Sequence, residues 1–194
     1  MSSASACERR LRKELDPFLP GAAPLPHNLT AALVDPTDPY RWRASFTGPA
    51  DSPYACGTHE LDLTFPADFP FAPPKVRFAS DVFHPCVAPR RPAWARPERA
   101  LRVSAGTVDR LIHKDHWSPA LSVKALLLDL AEMLRDPAAA LRATGHGGIN
   151  ARAAELLERG GAERFAAVAA AVANGAREEE VDLDDTTADQ IPAP

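Results

Sequence analysis

The side chains best suited to chemistry in this 194-residue chain are its three cysteines and six histidines. Cys86 stands in the triplet His84-Pro85-Cys86, with Arg90 and Arg91 close behind it. A thiol attacks as its thiolate, and nearby cations favour that form, so Cys86 is a candidate nucleophile if the following loop folds back. The plainer reading is a small, inert turn residue. Cys7, Cys56 and Cys86 are odd in number and widely spaced, giving neither a disulfide framework nor a Cys-x-x-Cys metal pair. His113 and His116 flank Asp115 at a spacing that shares a helical face, and His84 and Cys86 could join them as ligands. Their segment has no helical pattern and no cysteine pair supports it, so no metal is expected. AsnLeuThr at 28–30 matches a glycosylation sequon, which carries little weight in the reducing, intracellular setting that the cysteine usage suggests.

Elements that could position these residues follow from proline. Sixteen of the 20 prolines precede residue 98, and only Pro137 interrupts residues 120 to 175. Proline is excluded from helix interiors and central strands, so short strands with fixed turns are expected first and helices later. One helix comes before them: residues 7–15 place Leu11 and Leu15 four apart among charges, ahead of Pro17. Strand-like runs follow at Leu29–Val34, Arg41–Thr47, His59–Phe65 and Lys75–Ala79, joined by AspProThrAspPro and GlyPro turn signals. Short connections imply an antiparallel meander. From Ser122, Val123, Leu126, Leu127, Leu130 and Leu134 repeat at three and four until AspPro at 136–137 ends the run. Two alanine-rich helices near 149–159 and 161–174 are separated by GlyGly. The order describes an α+β domain over residues 7–175.

Composition sets outer bounds. At 45% hydrophobic and 25% charged, the chain suits one domain with a real core. No apolar run approaches the roughly 18 residues of a membrane span, and the basic segment from Met1 to Glu14 lacks the apolar core of a secretory signal. The net charge of -4 divides unevenly: residues 176–194 hold one arginine against seven acids, a net of -6, which leaves +2 for the rest. This acidic tail is expected to be disordered, a solvated terminus or an interaction arm. A mildly basic body without an arginine stripe gives no case for nucleic acid, and nothing suggests a membrane.

Several motifs then fall in order. ArgArgLeuArgLysGluLeu (9–15) precedes Trp42, ThrGlyProAlaAspSerProTyr (47–54), PheProAlaAspPheProPheAlaProProLysValArgPhe (65–78), ValPheHisPro (82–85) and TrpSerProAlaLeuSerVal (117–123). Over residues 8 to 137 this resembles the ubiquitin-conjugating enzyme family. Read alone, GlyPro, SerProTyr and ProPro fix turns, while Phe65, Phe69, Phe71 and Phe78 pack against the sheet. The resemblance implies the α+β ubiquitin-conjugating (UBC) fold: an N-terminal helix, a four-stranded antiparallel meander and C-terminal helices.

It also implies transthiolation, in which a cysteine carries ubiquitin as a thioester; thiolate is both a strong nucleophile and a good leaving group. The segment matching the family's cysteine is GlyThrValAsp (106–109), which puts Asp109 at the expected position eight residues before Trp117. A second register through ArgValSer (102–104) puts Ser104 there. The glycine, the β-branched residue and the distance to Trp117 favour Asp109, and neither register supplies a thiol. The family's HisProAsn supplies an amide that steadies an oxyanion; here Cys86 replaces that asparagine. AlaAlaAlaLeu (138–141) offers no acid where the family often has one. These departures argue for a variant that no longer conjugates, while the alternative is an active enzyme forming its ubiquitin thioester on Cys86.

The docking positions survive better. Arg9, Arg10 and Lys13 match basic helix residues that meet the activating enzyme and ligases, and Phe71, Ser118, Pro119 and Ala120 match the ligase-facing patch. The plainer alternatives are a solvated helix face and a core phenylalanine. The partners implied are ubiquitin or a ubiquitin-like protein and a ligase or activating enzyme, with no cofactor, in the cytoplasm or nucleus. The stretch 86–105 is longer than the family's usual connection, and Trp94 among Arg90, Arg91, Arg96, Arg99 and Arg102 is either a partner-binding element or a lineage-specific loop.

Overall fold

A computed structural model of the chain describes residues 5–89, 106, 108, 117–145, 148–159 and 161–176. The first helix, α1 (Ala6–Leu15), starts at a capping box in which the Glu8 N–H donates to Ser5 Oγ (3.1 Å) and the Ser5 N–H to Glu8 Oε2 (3.2 Å). It buries Cys7, Leu11 and Glu14. A short turn through Pro17 follows, as expected.

Four strands then form one antiparallel meander, β1 (Thr30–Asp35), β2 (Asp38–Thr47), β3 (Thr58–Thr64) and β4 (Lys75–Phe78), neighbours in that order. Alternation decides the faces. Trp42, Ala44 and Phe46 of β2, Leu61 and Leu63 of β3, and Val76 and Phe78 of β4 point into the core. Arg43, Asp62 and Arg77 stand in register on the opposite face, where Asp62 bridges the two guanidinium groups at 3.1 and 3.0 Å. Burial opposes ionisation of Asp62, but hydrogen bonds from Arg77 and Arg43 outweigh it and lower its pKa.

β2 begins earlier than the AspProThrAspPro signal suggests, at Asp38, and so includes Pro39. Pairing with β3 starts only at Arg41, so Pro39 lies beyond the end of β3 and its missing N–H costs no ladder bond on that side.

α2 (Val123–Arg135) lays Leu126, Leu127, Leu130 and Leu134 on the inner face of the sheet. Its first-turn donors are met by two side chains: Ser122 Oγ accepts from the Ala125 N–H (3.1 Å), and Glu14 Oε2 from the Val123 N–H (2.7 Å). AspPro does end α2, but it also starts α3 (Pro137–Thr144), which the sequence reading omitted. Asp136 caps the Ala139 N–H at 2.8 Å and Pro137 takes the first helical position, where its lost N–H is not needed. α4 (Ala151–Arg159) and α5 (Ala162–Ala173) complete the domain close to their expected bounds.

Phe65, Phe69 and Phe78 are core residues as expected, whereas Phe71 is 80% exposed. Among the described residues, no helix is long and apolar enough to cross a membrane.

Candidate functional site

The HisPro turn is held by hydrogen bonds from several segments. The Cys86 backbone N–H donates to His84 Nδ1 at 3.0 Å, which fixes the tautomer: Nε2 carries the proton and donates to the Met133 carbonyl of α2 (3.2 Å). His84 is fully buried, and burial lowers its pKa to about 4 against the opposing pull of that carbonyl. It is the satisfied turn histidine that the sequence suggests. The Tyr54 hydroxyl donates to the Phe83 carbonyl (2.7 Å), tying the GlyProAlaAspSerProTyr segment to the same turn. From the far side, the N–H groups of Ile149 and Asn150 both donate to the Pro85 carbonyl, at 2.9 and 3.0 Å. Asn150 Oδ1 then caps α4 through the Ala153 N–H (3.1 Å).

Cys86 lies inside this arrangement and is 2% exposed. Cys7 is buried on α1, where its thiol faces the Pro66 carbonyl (3.7 Å), and Cys56 is exposed before β3.

The GlyThrVal segment approaches the turn from the β4 side. Val108 pairs with Val87 in an antiparallel bridge, the Gly106 N–H donates to the Ala88 carbonyl (2.8 Å), and the Phe78 N–H donates to the Gly106 carbonyl (2.8 Å). Gly106 has φ of 76°, and a Cβ there would collide with the Phe78 backbone, so glycine is required. Asp109, next along the chain, and the alternative Ser104 lie outside the described residues. So do Arg90, Arg91, Trp94, Arg96, Arg99, Arg102, His113, Asp115, His116 and the tail beyond Ala176. Among the described residues, no group of three or more His, Cys, Asp or Glu could hold a metal ion.

Of the expected docking residues, Phe71 and the SerProAla turn are brought together. A tight turn, in which the Asp68 carbonyl accepts from the Phe71 N–H (2.9 Å), presents Phe71 outward. Trp117 Nε1 donates to the Pro70 carbonyl (2.7 Å) and its ring lies 6.0 Å from that of Phe69, so the Phe71 turn and the SerProAla turn are fastened to each other. Ser118, Pro119 and Ala120 are all exposed. Their turn is closed by the Ala120 N–H on Ser118 Oγ (3.3 Å) and the Leu121 N–H on the Ser118 carbonyl (2.9 Å). Just beyond, the Glu14–Val123 bond fastens this turn to α1. On α1, Arg9 and Lys13 are exposed, whereas Arg10 is half-buried and paired with Glu14 Oε1 (2.8 Å). Arg10 therefore helps to fix the Glu14 clasp as well as contributing charge. The sequence reading missed Glu14; an acid four residues after Arg10, beside Leu11 and Leu15, was the available signal.

A helix, a four-stranded meander, a HisPro turn locked beneath it and helices at the end define the UBC fold. The comparisons agree with that class. The family model described as ubiquitin-conjugating enzyme matches residues 10–91, from α1 through the HisPro turn. Among solved structures, the chain is similar to the E2 domain of a Toxoplasma gondii ubiquitin conjugating enzyme. That match has 28% identity and a TM-score of 0.64, covering 86% of this chain and 96% of the other. The chain has the UBC fold and is ubiquitin-conjugating-enzyme-like over residues 10–91.

Proposed function

We propose that this protein is a non-catalytic UBC-fold variant that binds ubiquitin or a ligase, as a scaffold or a competitor of conjugating enzymes. The observation that carries the proposal is the contrast between its two halves. Phe71, Ser118, Pro119 and Ala120 form a fastened, exposed patch, and Arg9 and Lys13 are exposed on α1. The one thiol at the HisPro turn, Cys86, is 2% exposed. A thioester with a protein's C-terminus needs a sulfur that a bulky partner can reach, so this burial weighs against Cys86 as the nucleophile. A carboxylate at Asp109 could replace the thioester only as an anhydride, which hydrolyses too readily to serve as a resting carrier.

An exposed aromatic rimmed by small turn residues is the kind of anchor that dominates a protein interface. The test is a titration of the full chain against ubiquitin and against a panel of RING and HECT ligase domains, by interferometry. Binding to at least one, weakened about tenfold or more by Phe71→Ala or Pro119→Asp, is expected. Failure to bind any of them, or binding indifferent to both substitutions, contradicts the proposal.

A further inference from the structure

The outer face of the sheet carries a charge pattern that the Phe71 and SerProAla turns do not use. Two neighbouring rungs run across β2, β3 and β4 there, Arg43–Asp62–Arg77 and Arg41–Thr64–Lys75. In the first, each carboxylate oxygen of Asp62 takes one guanidinium, Oδ1 that of Arg43 at 3.1 Å and Oδ2 that of Arg77 at 3.0 Å. In the second, Thr64 stands where that carboxylate would be. Arg41, Thr64 and Lys75 are exposed, and their side chains make no ion pair or hydrogen bond among the described residues. The acids of the β1–β2 hairpin, Asp35 and Asp38, accept from the N–H groups of Thr37 and Tyr40, and neither pairs with Arg41.

The first rung is a template for what the second would bind. β2 and β4 flank β3, so the cations on either side of Thr64 are roughly 10 Å apart at the backbone. Asp62 shows that one planar carboxylate standing between two such cations reaches both. A carboxylate over Thr64 would meet Arg41 and Lys75 in the same way, with the Thr64 hydroxyl beneath it as a third donor. A lone exposed ion pair is weak in water, so the ligand needs a second hold. Apolar surface is available at the β1 end of the same rungs. Ala32 is exposed and pairs with Arg43. Val34, one step beyond the Leu33–Trp42 pair as Arg41 is, is 49% exposed.

We propose that the Arg41–Thr64–Lys75 rung docks an acidic segment of a partner protein, with an Asp or Glu carboxylate seated over Thr64 and a neighbouring apolar side chain of that segment against Val34 and Ala32. A peptide carboxylate is the favoured occupant because the neighbouring rung already holds one at the same spacing. The site shares no residue with the Phe71 and SerProAla turns, and it stands whether or not the chain conjugates. Its cations are exposed, so the contact weakens as salt rises.

The test is a titration of the isotope-labelled full chain, followed by NMR, with the decapeptide SerAspLeuAspSerAspLeuAspSerGly and with its counterpart carrying Asn for every Asp. Expected are shifts concentrated at Arg41, Thr64 and Lys75, and an affinity for the acidic peptide about tenfold or more above that for the amide one. Arg41→Gln or Lys75→Gln should weaken binding about fivefold or more, while Lys124→Gln leaves it within about twofold. Thr64→Asp supplies the carboxylate from within the chain and should abolish binding. Equal binding of the two peptides, binding retained in Thr64→Asp, shifts spread evenly over the cations of the chain, or no binding at all overturns the proposal. A single-stranded oligonucleotide that binds the same residues more tightly than the acidic peptide overturns it too, assigning the face to phosphate. The unaltered chain supplies the main readout, so the outcome does not depend on a variant folding.

Discussion

Glu14 and Val123, separated by 109 positions in sequence, meet at 2.7 Å, the buried carboxylate of α1 accepting the first backbone N–H of α2. This bond closes the ring of contacts around the Phe71 and SerProAla turns. α1 reaches α2 through Glu14, the SerProAla turn reaches the Phe71 turn through Trp117 and Pro70, and Cys7 of α1 faces the Pro66 carbonyl. The patch is therefore a property of three distant segments held to one another.

Removing the clasp leaves a buried donor without a partner. Glu14→Ala is expected to cost about 1–3 kcal/mol, a fall in Tm of several degrees by calorimetry. Glu14→Gln keeps an acceptor for Val123 but loses the charge that pairs with Arg10, and should fall between the two.

Phe69 and Phe71, two residues apart, should respond in opposite ways. Phe69 is buried and meets the rings of Phe65 and Trp117 at 5.1 and 6.0 Å. Phe69→Ala is expected to destabilise the domain by about 3–5 kcal/mol. Phe71→Ala, at an exposed site, should change stability by no more than about 0.5 kcal/mol in denaturant titration.

His84 makes stability depend on pH. Its pKa is lowered to about 4 in the folded state, against 6.5 for an ordinary histidine. Between those values the unfolded chain takes up the proton and the folded chain does not, so stability falls as pH falls. The contribution is fully present above pH 6.5 and is lost progressively down to about pH 4, up to about 3 kcal/mol in all. His59, also buried and with its pKa lowered, adds in the same direction. Urea unfolding from pH 7 to pH 4.5 should show the decline, and His84→Gln should flatten it.

Gly106 fixes how the GlyThrVal segment meets β4. Any side chain there must adopt φ of 76° and displace the Phe78 backbone. Gly106→Ala is expected to cost about 1–3 kcal/mol in denaturant titration. An effect below about 0.5 kcal/mol would contradict the close approach.

Much of this architecture is legible in the chain because it rests on local signals. The leucine spacing of α2 with Ser122 ahead of it, and the alternation in HisGluLeuAspLeuThrPhe, each fix an element through the residues it contains. AspPro at 136–137 is ambiguous, since the same two residues stop one helix and cap the next, and only the stop is read from α2. Nothing local separates Phe69 from Phe71. Which ring turns outward depends on the turn at Asp68 and on Trp117 filling the space beside Phe69. Glu14 reads as solvated for a similar reason, because the donor that justifies its burial comes from the far end of the sequence. The HisPro turn is readable as a motif, but the burial of Cys86 belongs to the folded domain, in which distant α2 and the 148–150 segment bond to His84 and Pro85.

The most direct test of the non-catalytic reading is a charging assay. The full chain is incubated with activating enzyme, ubiquitin and Mg-ATP beside a conjugating enzyme that charges, and resolved on a non-reducing gel. The expected result is no thiol-sensitive band one ubiquitin heavier, in the unaltered chain or in Cys86→Ser. A band that forms, disappears with reductant and is absent from Cys86→Ser would contradict the account and make Cys86 the nucleophile.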